Sequence, residues 1–348
     1  MSREGVTQGD PMAMVAYGLM LLPLIIQLKK EHPDVDQPWY ADDAGAGGSF
    51  QAIRKQFESL KKLGPARGYF PEPSKSILVV REANLAAAQA ALGDLGFRIT
   101  TGNRYLGGFI GEAAPQEEWV REQTAAWAVA VTTLATVCKR YPQLAYAGLQ
   151  KSLQQEWQFL QRVTDGISTE FQAVESSLKD DFLPALLGQS KVGEPLRDLL
   201  ALPVKHAGIA IPNPTTSAGG NFRASTIVCG HLVASLRKRV TFNGAEHTSV
   251  IKEGRSAMRL CRTAVDDNEL TRLLRNLPQE KRRIIERGRR TGAWISVQPS
   301  TVNGTELSAE EFRDATHLRY AQVPRTFQQH VMDAPATISA SNMPYPVR

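Results

Sequence analysis

Cysteine is scarce in this chain: Cys138, Cys229 and Cys261 are the only three in 348 residues, and no two form a C-x-x-C pair. That excludes a disulfide framework and points to a reducing, intracellular setting. A basic leader is missing. The first ten residues set Arg3 against Glu4 and Asp10, which is not the start of a secretory signal. Long membrane-type runs are missing too. The nearest approach is Met12 to Leu28, uncharged and followed by Lys29 and Lys30. It lies at the lower edge of spanning length and is interrupted by Pro23. It reads as a buried helix rather than a membrane anchor, and no membrane partner is expected. No internal repeat is present. Acidic residues are outnumbered, 35 against 41 Lys plus Arg, which leaves a net charge of +6. So mild an excess is compatible with a polyanionic partner without requiring one.

What is present suffices for two or three domains with a real core, since 42% of the residues are hydrophobic. Residues 11–30 read as a helix with Pro11 in its first turn and Asp10 as its cap. Residues 37–49 read as strand, tight turn, strand. From Phe50, "FQAIRKQFESLKKL" places Phe50, Ile53, Phe57, Leu60 and Leu63 at helical spacing and stops at Gly64-Pro65. A strand over 74–80, a helix over 82–96 and a hairpin over 97–111 complete an α+β pattern for residues 1–112. From there the texture is helical, over 116–140, 143–164 and 168–187. The Pro/Gly-rich stretch 200–220 marks a boundary, and 221–291 returns to helix and becomes more basic. Ser308 and Glu311 have the spacing of a capping box. The reading divides the chain into 1–112, 113–199, 200–325 and a tail over 326–348.

The chemistry sits in "QPWYADDAGAGG", residues 37–48. Two adjacent aspartates on a hairpin tip repel unless a cation lies between them and a partner. Carboxylates are hard oxygen donors suited to Mg²⁺, and paired metal ions can activate a hydroxyl and stabilise a leaving pyrophosphate. By itself such a doublet is an ordinary solvated turn. Ahead of it, Gly5 and Gly9 bracket a loop that runs into the first helix, where free N–H groups can face an anion. Gln8 in that loop can contact a base or a sugar. Lys75 follows the Pro-rich "GYFPEPSK", and "RYLGGFIG", 104–111, carries paired glycines in a ribbon.

Taken together these residues resemble the reverse transcriptases of retroelements that lack long terminal repeats. The motif order Glu4-Gly5, Gln8-Gly9-Asp10-Pro11, Tyr40-Ala41-Asp42-Asp43, Pro73-Ser74-Lys75, Leu106-Gly107-Gly108 carries the resemblance over residues 2–111. It implies a partial right-hand polymerase palm, an antiparallel sheet with packed helices, followed by a helical thumb. It implies that Asp42 binds catalytic Mg²⁺ with help from Asp43, and that Tyr40 and Ala41 lie beside the primer terminus. Gln8 and Gly9 would contact the template or the incoming nucleotide. Lys75 would approach the triphosphate and Leu106 to Gly108 would grip the primer. The first helix would pack under the palm, which accounts for its uncharged run. The implied partners are an RNA template, a DNA primer and a deoxynucleoside triphosphate. Leu202-Pro203 with Ala207-Gly208 and Ala210 resembles a Leu-Pro…Gly-Gly-Leu-Gly segment that follows the thumb in such elements, with alanine in place of part of the glycine pattern.

One departure stands against this. The family has another essential aspartate on a strand upstream of the glycine loop, and no such strand precedes Gly5 here. The expectation is a truncated polymerase product with little or no activity alone. The alternative is a non-catalytic nucleic-acid-binding remnant. The basic run "KRRIIERGRR", 281–290, is either a phosphate grip or a solvated helix face. Cys229, His231, His247 and Cys261 lack the close pairing of zinc ligands. Trp119, Trp127 and Trp157 read as packing residues between thumb helices.

Overall fold

A computed structural model describes residues 10–40 and 43–324. They form an α+β protein, mostly helical, with sheets of two strands each. The chain divides into two compact units between Gln116 and Glu117.

The first unit opens with α1 (Ala13–Glu31). The Asp10 carboxylate accepts the Met12 N–H at 2.8 Å just ahead of it, as a capping residue does. Helix α2 (Phe50–Leu63) starts at Ser49, whose hydroxyl accepts the Ala52 N–H. Its apolar stripe buries Ile53, Phe57 and Leu60, the face that the periodicity predicts. Leu60 meets Leu21, Leu24 and Leu28 of α1, with Tyr17, Trp39, Leu63 and Tyr69 around them. Strand β3 (Ile77–Val79), helix α3 (Leu85–Leu92) and strand β4 (Arg98–Thr100) make a parallel βαβ unit. Arg54 of α2 caps its helix: the guanidinium donates to the Ala91 carbonyl and pairs with Asp94. Strands β5 (Gly102–Tyr105) and β6 (Gly108–Gly111) form an antiparallel hairpin.

Three expectations change here. The stretch 97–111 is not one hairpin, because β4 pairs with β3 and only 102–111 turns back on itself. Lys75 lies in a 3₁₀ turn, Pro73–Lys75, ahead of the strand rather than in it. The strands form separate two-stranded pieces, one of them parallel, rather than a single antiparallel sheet. Strands of two to four residues expose too little edge to recruit further neighbours.

Helix α1 also departs from the reading of a buried helix. Tyr17, Leu21, Leu24 and Leu28, spaced 4-3-4, turn inward, but Val15, Leu19, Leu22 and Ile26 repeat that spacing on the opposite side. The second row is open, at 52%, 66%, 47% and 58% exposure. Among the described residues α2 is the helix laid against α1, and it covers one side. By length and composition Ala13–Glu31 passes for a membrane span, a test that core helices also pass.

The second unit is helical. Helix α4 (Ala113–Arg140) leads into a continuous helix over 142–163, in which a π-turn at Leu149–Leu153 separates α5 (Pro142–Gly148) from α6 (Gln154–Val163). A second π-turn, Leu178–Phe182, joins α7 (Gln172–Ser177) to α8 (Leu183–Leu187). After α9 (Glu194–Ala201) come the long pair α10 (Pro214–Leu236) and α11 (Gly244–Arg275), then α12 (Gln279–Thr291) and α13 (Ala309–Arg319). Ser308 and Glu311 form the capping box that their spacing predicts. Trp157 is buried, and Trp127 packs on it and stacks on Phe171.

The segment between α9 and α10 is not the exposed linker that its Pro and Gly content predicts. Leu202, Ala207, Ile209 and Ile211 are buried in the central core. Irregular backbone in a core leaves carbonyls that need donors. Here side chains from the surrounding helices supply them. Tyr146 Oη donates to the Ile209 carbonyl at 2.8 Å, Gln154 to Ala210 at 3.2 Å and Gln161 to Pro214 at 2.9 Å. Arg197 Nη1 donates to Ile211 at 2.8 Å, and Arg319 Nη2 to Val204 and Gly208 at 3.1 Å. The rest of the Arg197 guanidinium makes a bidentate pair with Glu175 at 2.8 and 2.7 Å, both residues buried.

The local conformation explains why the glycine pattern matters. Ala207 and Ala210 have φ of +67° and +55°, the left-handed region that glycine favours. At Gly208 an added Cβ would lie 1.8 Å from the Leu202 carbonyl oxygen. The two alanines therefore hold backbone conformations that glycine would adopt without strain. Ala207→Gly and Ala210→Gly should each raise stability by about 1 kcal/mol in urea unfolding, whereas Gly208→Ala should prevent native packing. Arg197→Met should cost about 3–5 kcal/mol in the same assay, because Glu175 is left buried and unpaired.

Candidate active site

The acidic hairpin consists of β1 (Trp39–Tyr40) and β2 (Asp43–Ala44), paired antiparallel with Tyr40 opposite Asp43. Ala41 and Asp42 connect them and lie outside the described residues, as do Gln8 and Gly9. The hairpin is fixed from its base. Asp36 and Gly47 exchange two backbone hydrogen bonds of 2.8 Å, and the Gly45 N–H donates to the Pro38 carbonyl at 2.8 Å. Alternation along β1 then sorts the side chains. Trp39 turns into the core shared by α1 and α2 and meets Tyr69 edge-on at 5.5 Å. Tyr40 turns out and is 63% exposed. Gln37, buried, donates to the Leu28 and His32 carbonyls and ties the strand to the end of α1.

Asp43 is exposed, and among the described residues no Lys, Arg or His lies in ion-pairing range of it. Two other aspartate doublets in the sequence are engaged. Thr132 donates to Asp181 at 2.8 Å, and Asp267 faces His206 at 3.2 Å and Arg289 at 3.3 Å. Asp43 differs from Asp267 in having no cation in range among the described residues, and from Asp181 in standing on a hairpin.

The β5–β6 ribbon reaches the same region. Burial pushes the Tyr105 phenol above its ordinary pKa, and the charge of Asp43 pushes it further. Tyr105 pairs with Gly108 across a two-residue turn made of Leu106 and Gly107. Both turn residues have positive φ, +47° and +77°, as a tight hairpin turn of this length requires. Gly107 suits that position; Leu106 does not, and it holds a strained conformation with an exposed side chain. At the open end of the ribbon Gly111, φ +139°, faces Gly102 so closely that a Cβ would lie 2.4 Å from the Gly102 Cα.

Lys75 is exposed. Its turn is capped by Glu72, whose carboxylate accepts the Ser74 hydroxyl at 2.8 Å and the Ser74 N–H at 3.2 Å. Those bonds hold Glu72 below the usual carboxylate range, and the charge of Lys75 adds to the effect.

The donor chemistry of the hairpin fits a hard divalent cation. Mg²⁺ takes one or two protein carboxylates and completes its shell with water and phosphate oxygens, and the exposed Asp43 carboxylate is a donor of that kind. Among the described residues no cluster of three or more His, Cys, Asp or Glu side chains is placed to hold a metal. His231 and His247 instead stack at 6.0 Å beside Phe242, while Cys229 and Cys261 are exposed on α10 and α11.

No family model matches this chain, and no curated protein or solved structure matches it.

Of the residues singled out in the sequence, Asp43 is linked to the ribbon through its charge on Tyr105, the neighbour of the Leu106–Gly108 turn, and Tyr105 joins the candidate residues. Tyr105 carries no motif signal of its own beyond its place next to Leu106. Asp43→Asn should lower the Tyr105 pKa toward its ordinary value, because a neighbouring negative charge disfavours the phenolate. Ultraviolet titration of tyrosine ionisation should show a downward shift in one group, and Tyr105→Phe should abolish that difference.

Proposed function

We propose that residues 2–111 are palm sequence of an RNA-directed DNA polymerase, related to the reverse transcriptases of retroelements without long terminal repeats. The observation that supports the reading best is that the charge of Asp43, on the acidic hairpin, acts on the phenol of Tyr105, which immediately precedes the Leu106–Gly108 turn. These two motifs are separated by more than sixty residues in the sequence. A polymerase needs both at one place, since one end of the primer is held while its terminal hydroxyl reacts.

The reaction would join the 3′-oxygen of a primer to the α-phosphorus of a deoxynucleoside triphosphate, with pyrophosphate leaving and the hydroxyl proton lost to solvent or base. Mg²⁺, when bound, supplies charge neutralisation for the entering and leaving oxygens. Asp42 and Asp43 would hold it. Tyr40, facing outward, would lie beside the primer terminus, and the exposed Leu106 with the Gly107-Gly108 backbone would track the primer strand. Lys75 would meet the leaving phosphates. Residues 113–199 would serve as the helical thumb, and the alanines at 207 and 210 would keep the backbone shape of the glycine segment that follows it.

A second reading, a nucleic-acid-binding element without catalysis, is supported by the Lys and Arg residues of α11 and α12.

Primer extension on an RNA template with Mg²⁺ separates the two. The assay compares the 348-residue chain with the same chain preceded by its in-frame upstream sequence. DNA synthesis by the longer form, abolished by Asp42→Ala and by chelation, is the outcome the first reading expects. A folded longer form that binds template and makes no DNA leaves the second reading.

A further inference from the structure

We propose that one face of α11 is a docking surface for a nucleic-acid phosphate backbone. Lys252, Arg255, Arg259 and Arg262 recur at spacings of three, four and three, so they form a single row along the helix. At the helical rise that row is about 15 Å long. All four side chains are exposed. Among the described residues none of them has a carboxylate in ion-pairing range, and Arg262 donates only to the Asn221 side chain, at 2.7 Å. Lys205 extends the row by donating to Thr263 at 3.1 Å. Asp266 ends it, turned toward His206.

The row is held in place rather than displayed on a loose helix. Gly254 lets α11 lie close to α10, where a Cβ would meet Ile227 at 3.2 Å. That contact fixes which side of α11 faces outward. Asn221, which receives Arg262, itself donates to the buried Gln161 at 2.8 Å. The surroundings are strongly one-signed as well. From Leu199 to Ala245 the sequence contains no Asp or Glu, and Glu246 and Glu253 are the only acidic residues between Pro214 and Arg262.

A linear row of cations about one helical turn apart suits a linear array of phosphates, which it would bind without reading bases. An anionic membrane surface would instead ask for apolar residues beside the cations to enter the acyl boundary. Here Ser256 and Thr263 flank the row with the exposed Leu260 between them, a single large apolar side chain in that flank against four cations. The proposal does not depend on the acidic doublet, which lies in the other unit, and it stands or falls separately from DNA synthesis.

The test measures binding of the full chain to a fluorescein-labelled duplex DNA of arbitrary sequence by anisotropy, from 50 to 300 mM KCl. The comparison variant is Lys252→Gln/Arg255→Gln/Arg259→Gln/Arg262→Gln. Glutamine keeps helix propensity at exposed sites, and a thermal melt by circular dichroism confirms the fold. The slope of log K against log salt should be shallower by about 3 to 4 in the variant. Arg255→Gln and Arg259→Gln alone should each make it shallower by about 1. An unchanged slope in the quadruple variant overturns the proposal. So does a variant that keeps DNA binding but no longer sediments with phosphatidylserine vesicles, which would assign the row to a lipid surface.

Discussion

Burying irregular backbone is possible only where its carbonyls find donors, and the second unit is organised around meeting that demand. The segment 202–214 crosses the core without regular structure. Tyr146 of α5, Gln154 and Gln161 of α6, Arg197 of α9 and Arg319 of α13 reach in to satisfy it. Each donor thereby fixes its own helix relative to the others. Within this network the buried Glu175 neutralises Arg197. The same network carries outward: Gln161 holds the start of α10 and also Asn221, and Asn221 holds Arg262. A polar core thus sets the orientation of a surface more than one helix away.

How much of this was legible in sequence depends on the kind of signal. Helix α2 was legible because its apolar residues keep one period and one face. The uncharged run of α1 was legible as a helix but not in its burial, since composition cannot tell one apolar side from two. The segment 200–213 misled in the opposite direction. Its Pro and Gly content marks a chain break, and the alternating Leu200, Leu202, Ile209 and Ile211 were the quieter sign that it lies inside. The acidic hairpin was legible because a two-residue connection between Tyr40 and Asp43 leaves the chain few geometries. The place of Tyr105 was not, because its closeness to Asp43 is tertiary and leaves no local trace. The row on α11 was written in the sequence as spacing, yet it was diluted among the other basic residues of 221–291.

Left-handed residues recur at the points that matter. Leu106 shapes the ribbon turn beside the acidic hairpin, and Ala207 and Ala210 shape the buried segment. None of the three is glycine, so local preference is overridden at each. In the core the cause is visible, because hydrogen bonds from several helices hold the backbone on both sides of the alanines. At Leu106 the side chain is exposed and no such packing surrounds it, which marks that turn as the less constrained of the two.

The outward row of Val15, Leu19, Leu22 and Ile26 on α1 gives the protein a second kind of surface, and water treats it opposite to the cationic row. Added salt screens charges and weakens contacts made by α11, while it strengthens the exclusion of apolar groups from water. Ionic strength therefore acts as a selector between two modes of association in one molecule. In dilute buffer polyanions are the favoured company; in concentrated sulfate or phosphate the chain turns to oily neighbours, its own copies included.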